Sequence, residues 1–342
     1  MAVWNSSFYG GALPDAADHD ALLNQLIDCL TGVSTPSSGT LPVGERWVVL
    51  KDDITSVVGE RFVYLKGPGL SATDAIYVNI RQYAGALNIR NWELRGATTF
   101  VDSQAFAAQP GTPITGTYFT LRNITTPFRI IGNGRRFIVL AKIVLSNMAC
   151  YCGLGLPFAT PSEYPYPLFI GGNSGFTLAY SGDNDYRIGN FYDGPRRTAS
   201  TANYTASCFK VRDRNGSWLE GGRYITPTSG ATSKPNPTYT DSTMIWPWDY
   251  GSITNSGVAT ADSYRLFDYA FHAIPVSDAF LLPAIVYSNY LLDQVLMTLE
   301  GVYYTPSANL STEDTIDVAG STYLIINNTY RDNEVNAAFL LE

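Results

Sequence analysis

The sequence predicts a mainly β protein, with antiparallel sheets arranged as a β-sandwich, one N-terminal amphipathic helix and long loops. Three observations carry this. Helical spacing of apolar residues is clear only once, near the N-terminus. After it, short apolar or alternating segments recur between Gly, Pro, Asn and Asp, which is how strands at regular spacing look. Aromatics make up 13% of the chain and apolar residues 45%, enough to offset the entropy of ordering it and to exclude a disordered protein.

The helix is expected over residues 15–31. Leu22, Leu23, Leu26, Ile27 and Leu30 recur at spacings of three and four, and Asp15, Asp18 and Asp20 lie at its positive end. Gly32 is placed to terminate it, before the polar connector 34–39. Strands are then expected at 47–51, 61–66, 75–81, 89–94 and 118–121, giving a first region, 1–126, of helix plus sheet, and at 128–131, just beyond its boundary. Residues 136–145 form the strongest strand candidate, entered through Gly132-Asn-Gly134 and opening a second, sandwich-like region, 127–342. Within it, residues from 157 to about 260 form an excursion rich in Pro, Gly, Ser, Thr, Asn and Tyr, with short strands at 208–212 and 218–220 joined by Asp213-Arg-Asn-Gly216. Asn-Gly suits a type I′ turn there. Strands resume at 280–287, 296–304 and 322–327, and the chain ends in Phe339-Leu-Leu341. No repeat of 20 to 50 residues is present, which argues against solenoids and propellers.

The charge content is low. Of 342 residues, 22 are basic and 30 acidic, or 15% of the chain against about 25% in an average globular protein. The net charge of −8 excludes a general phosphate-backbone binder, so no nucleic acid partner is expected. Arg outnumbers Lys 17 to 5, and Tyr is abundant at 23; both are favoured in surfaces that neighbours cover. No apolar run reaches the ~18 residues of a membrane span. The N-terminus has no basic stretch leading into an apolar core, so no secretory signal is expected. The six Asn-X-Ser/Thr sites are then a by-product of composition.

Catalytic patterns are weak. His19 falls in the polar first turn of the helix, and His272 in Tyr269-Ala-Phe-His-Ala-Ile suits a half-buried structural histidine. Gly172-Asn-Ser-Gly175 fails as a nucleophile elbow because Phe176 stands where the second Gly belongs. Asp183-Asn-Asp-Tyr-Arg187 fails as a calcium loop because Arg187 takes a ligand position. Gly132-Asn-Gly134 leads into a strand, not a phosphate-binding helix. Adjacent Asp52 and Asp53 would point to opposite sides of a strand. Cys150 and Cys152 are one residue apart, the wrong spacing for zinc ribbons or thioredoxin-like motifs, and with Cys29 and Cys208 they are expected to be free, buried thiols. No enzyme activity, metal or cofactor is expected. Tyr164, Tyr166, Phe169, Trp246 and Trp248 form Pro-rich aromatic clusters that suit a subunit contact or, alternatively, stacking on sugar rings.

Three segments carry a resemblance as a set: Leu65-Lys-Gly-Pro-Gly-Leu-Ser-Ala-Thr-Asp-Ala-Ile-Tyr-Val-Asn-Ile-Arg-Gln-Tyr83, Gly132-Asn-Gly-Arg-Arg-Phe-Ile-Val-Leu-Ala-Lys142 and Ala159-Thr-Pro-Ser-Glu-Tyr-Pro-Tyr-Pro-Leu-Phe-Ile-Gly-Gly172. With the N-terminal helix and the hairpin Arg212-Asp-Arg-Asn-Gly-Ser-Trp218, they make most of the chain resemble virion structural proteins of tailed bacteriophages. The resemblance implies a tail or baseplate component, assembled in the host cytoplasm as a cyclic homo-oligomer in contact with other virion proteins. It assigns no residue a chemical role. The excursion at about 157–260 is expected to carry the subunit contacts, with residues 164–169 removable without loss of the core. A receptor- or glycan-binding module of the same particle, contacting a host surface glycan, is the alternative.

Overall fold

The computed structural model describes residues 1–5, 21–55, 60–69, 74–84, 89–122, 126–143, 146–157, 168–173, 190–192, 208–213, 215–221, 243–246, 280–288, 294–306, 310–326 and 335–342. The fold is mainly β and almost wholly antiparallel, with one α-helix among the described residues.

The chain opens with β1 (Ala2–Asn5), α1 (Ala21–Thr31) and β2 (Ser38–Gly39). Leu22, Leu23, Leu26, Cys29 and Leu30 face the core from α1, the stripe its spacing predicts, and Ile27 packs at its margin. Gly32 adopts a φ of +78°. The N–H groups of Gly32 and Val33 return to the carbonyls of Cys29 and Asp28, so the helix ends in a Schellman turn that satisfies its last carbonyls.

A five-stranded meander follows: β3 (Val48–Ile54), β4 (Arg61–Gly67), β5 (Ile76–Ala84), β6 (Ile89–Ala97) and β7 (Thr117–Arg122), paired in sequence order. The remaining strands join β1 and β2 in one fifteen-stranded sheet. They are β8 (Phe128–Gly132), β9 (Arg136–Ile143), β10 (Ser146–Leu154), β11 (Leu156–Pro157), β12 (Leu168–Gly171), β13 (Phe209–Arg212), β14 (Trp218–Gly221), β15 (Thr243–Trp246), β16 (Leu282–Ser288), β17 (Gln294–Pro306), β18 (Thr315–Val318), β19 (Ser321–Ile326) and β20 (Val335–Leu340). β1 pairs with β8, so part of the first expected region hydrogen-bonds into the second.

Side-chain alternation shows how the large sheet is folded. In β9, Phe137, Val139 and Ala141 join a core with α1 and the five-stranded sheet. Their neighbours Ile138 and Leu140 join a second core with β16, β17, β19 and β20. The same split separates Met148, Cys150 and Cys152 from Ala149 and Tyr151 in β10. Strands β8, β9, β10 and β12 are thus a central layer covered on both faces, the five-stranded sheet with α1 lies on one side, and the C-terminal strands lie on the other. A strand buried on both faces loses the apolar–polar alternation of a half-buried one. The segment leading into β18, at one end of the large sheet, meets the central layer where Lys142 pairs with Glu313 at 2.6 Å and Asn147 donates to Thr312 at 3.2 Å.

All three layers converge on the β8–β9 turn. Asn133 Oδ1 accepts the backbone N–H groups of Arg135 and Arg136, and its carbonyl accepts the Trp47 indole N–H at 2.7 Å. Gly134 needs no positive φ; a Cβ there would lie 2.8 Å from Pro68 and 3.0 Å from Glu45, so glycine is required for close approach. Arg135 forms a two-pronged ion pair with Glu300 of β17, which also accepts from Asn133 Nδ2 at 3.1 Å. Burial pushes the Glu300 carboxyl upward, but the bond from Arg135 and the charges of Arg136 and Arg135 outweigh it, leaving the group below its ordinary value. Arg136 is fully buried, and Gly301 (φ +79°) makes room for it, since a Cβ would sit 2.6 Å from its Nη2.

The turn after β13 differs from the type I′ expectation. Gly216 takes a positive φ of +83° and Asn215 does not. Gly216 N donates to the Asp213 carbonyl, and Asp213 N to that of Ser217. This is a three-residue loop with Gly in the left-handed bulge position. Asp213 Oδ1 fixes it by accepting the N–H groups of Asn215 and Ser217.

Candidate functional site

The strand alternation places two contrasting faces on the outside of the three layers. On the five-stranded sheet, Val63, Leu65, Ile76, Val78, Ile80, Trp92, Leu94, Phe119 and Leu121 point inward, so the alternate residues form the outer face. Strand register sets these in rows: Tyr83, Asn91 and Thr120 in one, and Phe62, Arg81, Glu93 and Tyr118 in the next. Tyr64, Asn79 and Arg95 make a third. Residues 98–116 cross over part of the face, resting Phe106 against Phe62, Tyr64 and Arg95.

Glu93 is the electrostatic centre. Arg95 Nε donates to it at 2.7 Å, and Arg81 lies 3.6 Å from its other oxygen while pairing with Glu60 at 2.7 Å. Arg81 also lies over the rings of Tyr83 and Phe62, at 5.1 and 5.8 Å, within cation–π range. Desolvation, reinforced by neighbouring negative charge, raises both the Tyr83 and Tyr118 phenols above their ordinary value, so both remain neutral donors at physiological pH. The arrangement has hydrogen-bonding capacity and fixed charge without a nucleophile–base pair.

The C-terminal layer shows the opposite chemistry. Its outer face carries Tyr303, Tyr323, Ile325, Ala338 and Leu340, with Leu281, Leu310, Ile316 and Val318 packed half-buried around them. The Tyr303 and Tyr323 rings meet edge to face at 5.3 Å. At the border of this face β18 is the terminal strand of the large sheet. Its outer side makes no ladder bond among the described residues; it is short, at four residues, and carries one charge, Asp317, but has none of the Lys, Pro or bulge that also protect an edge. The edge of the five-stranded sheet, β3, does have them: a register shift between Val49 and Lys51, and the charges of Lys51, Asp52 and Asp53. As expected, Asp52 and Asp53 diverge, the first pairing with Arg61 and the second with Lys51.

Of the aromatic contact residues expected from the sequence, Tyr164, Tyr166 and Trp248 lie outside the described residues, as do His19, His272 and the 183–189 loop. Trp246 closes β15. Phe169 is corrected: it belongs to the central layer and is fully buried, stacked on Phe209 at 5.1 Å and edge-on to Tyr151 and Phe191. It is unavailable to a neighbour. Removing residues 164–169 would also take Leu168, so that segment is not dispensable to the core. All four cysteines are free and buried, and burial pushes the Cys29 thiol up to about 12. Among the described residues no group of three His, Cys, Asp or Glu could hold a metal ion, and no helix is long and apolar enough to cross a membrane.

No family model matches the chain, and no curated protein matches it.

Proposed function

We propose that the chain is a non-enzymatic structural component of a tailed-phage virion, in the tail or baseplate, where it forms a symmetric ring and contacts other virion proteins. The observation that carries this reading is the unpaired edge of β18 beside the partly buried side chains of Leu281, Tyr303, Leu310, Ile316 and Val318. An open strand edge offers backbone donors and acceptors in register, and an adjoining apolar face adds area that gains free energy when covered. A subunit repeated around a ring needs such a surface on every copy. The resemblance to phage virion proteins and the Arg-over-Lys, Tyr-rich composition support the same reading.

The test is the oligomeric state of the full chain by native mass spectrometry, together with its localisation in purified particles by electron microscopy. Wild type is expected to form a defined ring, and Ile316→Lys with Val318→Lys to leave a folded monomer. A double variant that assembles normally, or particles lacking the protein, would overturn the proposal.

A further inference from the structure

The chain contains two Asn-Gly pairs, Asn133-Gly134 and Asn215-Gly216, and the fold treats them oppositely. In such a pair the glycine nitrogen can attack the side-chain amide carbon of the preceding residue with no Cβ in its way. The reaction needs the side-chain amide to turn onto that nitrogen, with the reacting atoms about 3–3.5 Å apart and aligned.

At the β8–β9 turn the amide is locked. Asn133 is 4% exposed. Its Oδ1 accepts the N–H groups of Arg135 and Arg136, and its Nδ2 donates to Glu300. All three bonds must break before the side chain rotates, and they lie where the three layers meet. Asn215 has no such hold. It is exposed, and its side-chain amide makes no hydrogen bond among the described residues. Only its backbone is tied, by the N–H to Asp213 Oδ1 at 2.8 Å. The attacking nitrogen of Gly216 is restrained by a single turn bond to the Asp213 carbonyl at 3.0 Å. A bond in a short exposed loop opens locally at little cost in free energy, far less than one in a core turn.

We infer that Asn215 is a site of spontaneous covalent modification in the folded protein, from which Asn133 is protected. The backbone nitrogen of Gly216 loses its proton and bonds to Asn215 Cγ. The Cγ–Nδ2 bond breaks and ammonia leaves with that proton, giving a cyclic imide. Water then adds to either imide carbonyl and cleaves its bond to nitrogen, which yields aspartate or isoaspartate. The chemistry is independent of what the chain assembles with. Either product adds a negative charge beside Asp213. Isoaspartate also inserts a carbon into the backbone between the two N–H groups that Asp213 Oδ1 holds, those of Asn215 and Ser217. Trp218 follows directly: its indole N–H bonds the Gly111 carbonyl at 2.7 Å, and its ring rests on Gly96, where a Cβ would lie 2.7 Å away. Conversion therefore loosens the seat of the β13–β14 hairpin on the five-stranded sheet.

The full chain is to be incubated at neutral and mildly alkaline pH, folded and in urea, and peptide-mapped by mass spectrometry with an isoaspartate methyltransferase labelling the rearranged product. In urea the shared Asn-Gly sequence alone acts, and the two sites are expected to convert within about twofold of each other. In the folded chain Asn215 is expected to convert at least about tenfold faster than Asn133, and faster still as pH rises. The converted protein is expected to show faster amide exchange over residues 209–221 than the unconverted protein. An Asn215 that stays intact in the folded chain while converting in urea would overturn the inference, as would an Asn133 that keeps pace with it in the folded chain. Unchanged exchange in the converted hairpin would overturn the structural consequence.

Discussion

The outer faces of the two flanking layers rest on the same central sheet but are held together by different physics. On the five-stranded sheet, the buried Arg95 and Glu93 interlock with the partly exposed Arg81 and Glu60, and each ion depends on an ion of opposite sign being in place. On the C-terminal layer, Ile325, Ala338 and Tyr323 are held by contact alone. A charge-based face tolerates the loss of a methyl group but not of a partner, because an unpaired buried ion is far more costly than a small void. An apolar face loses stability in proportion to what is removed.

Three substitutions test this difference. The largest effect is expected from Glu93→Ala, which strands Arg95 and weakens the hold on Arg81; a loss of about 3–5 kcal/mol in urea unfolding is expected. A loss below 1 kcal/mol would show that the network contributes little. Next is Glu300→Gln, at the turn joining all three layers, with an expected cost of about 2 kcal/mol near neutral pH. Because the folded Glu300 carboxyl sits below its ordinary value of 4.5, its stabilising contribution is complete above that value and is lost as pH falls through the lower, folded value. Melting curves of wild type and variant should therefore converge on acidification; a gap constant from pH 6 to pH 3 would refute this. The smallest effect is expected from Ile325→Val, at about 1 kcal/mol with no pH dependence, read by thermal melts at two pH values.

Much of the architecture was legible from the sequence, for reasons that also explain what was not. The helix announced itself through leucine spacing and Gly32, and strands such as 61–66 and 75–81 through alternation over one buried face. β10 was missed because its Met, Ala, Cys and Gly residues are weak strand formers, and burial on both faces removes the polar beat. β12 lies in a stretch of Pro and Tyr that resembles loop. The β18–β19 hairpin turns on Ala319 and Gly320, both at positive φ; alanine is not a residue that signals such a turn. On the outer face of the five-stranded sheet, Arg81 closes the strand expected at 75–81, whereas Tyr83 lies beyond it, within β5. Their alignment with Asn91, Thr120 and Glu93 depends on strand register, which local sequence does not encode.

The doubly covered central sheet has a consequence for how the protein comes into being. One side of β8, β9 and β10 is not fully covered until residues beyond 280 have been synthesised, and β1, though it can meet β2 early, has its second neighbour only once β8 exists. Chains dominated by such distant pairings fold slowly and expose sticky surface while they wait. Because no layer can leave without baring the one beneath it, opening also demands the simultaneous loss of many contacts. A protein so built is fragile during synthesis and long-lived afterwards, with its durability set by the height of the unfolding barrier.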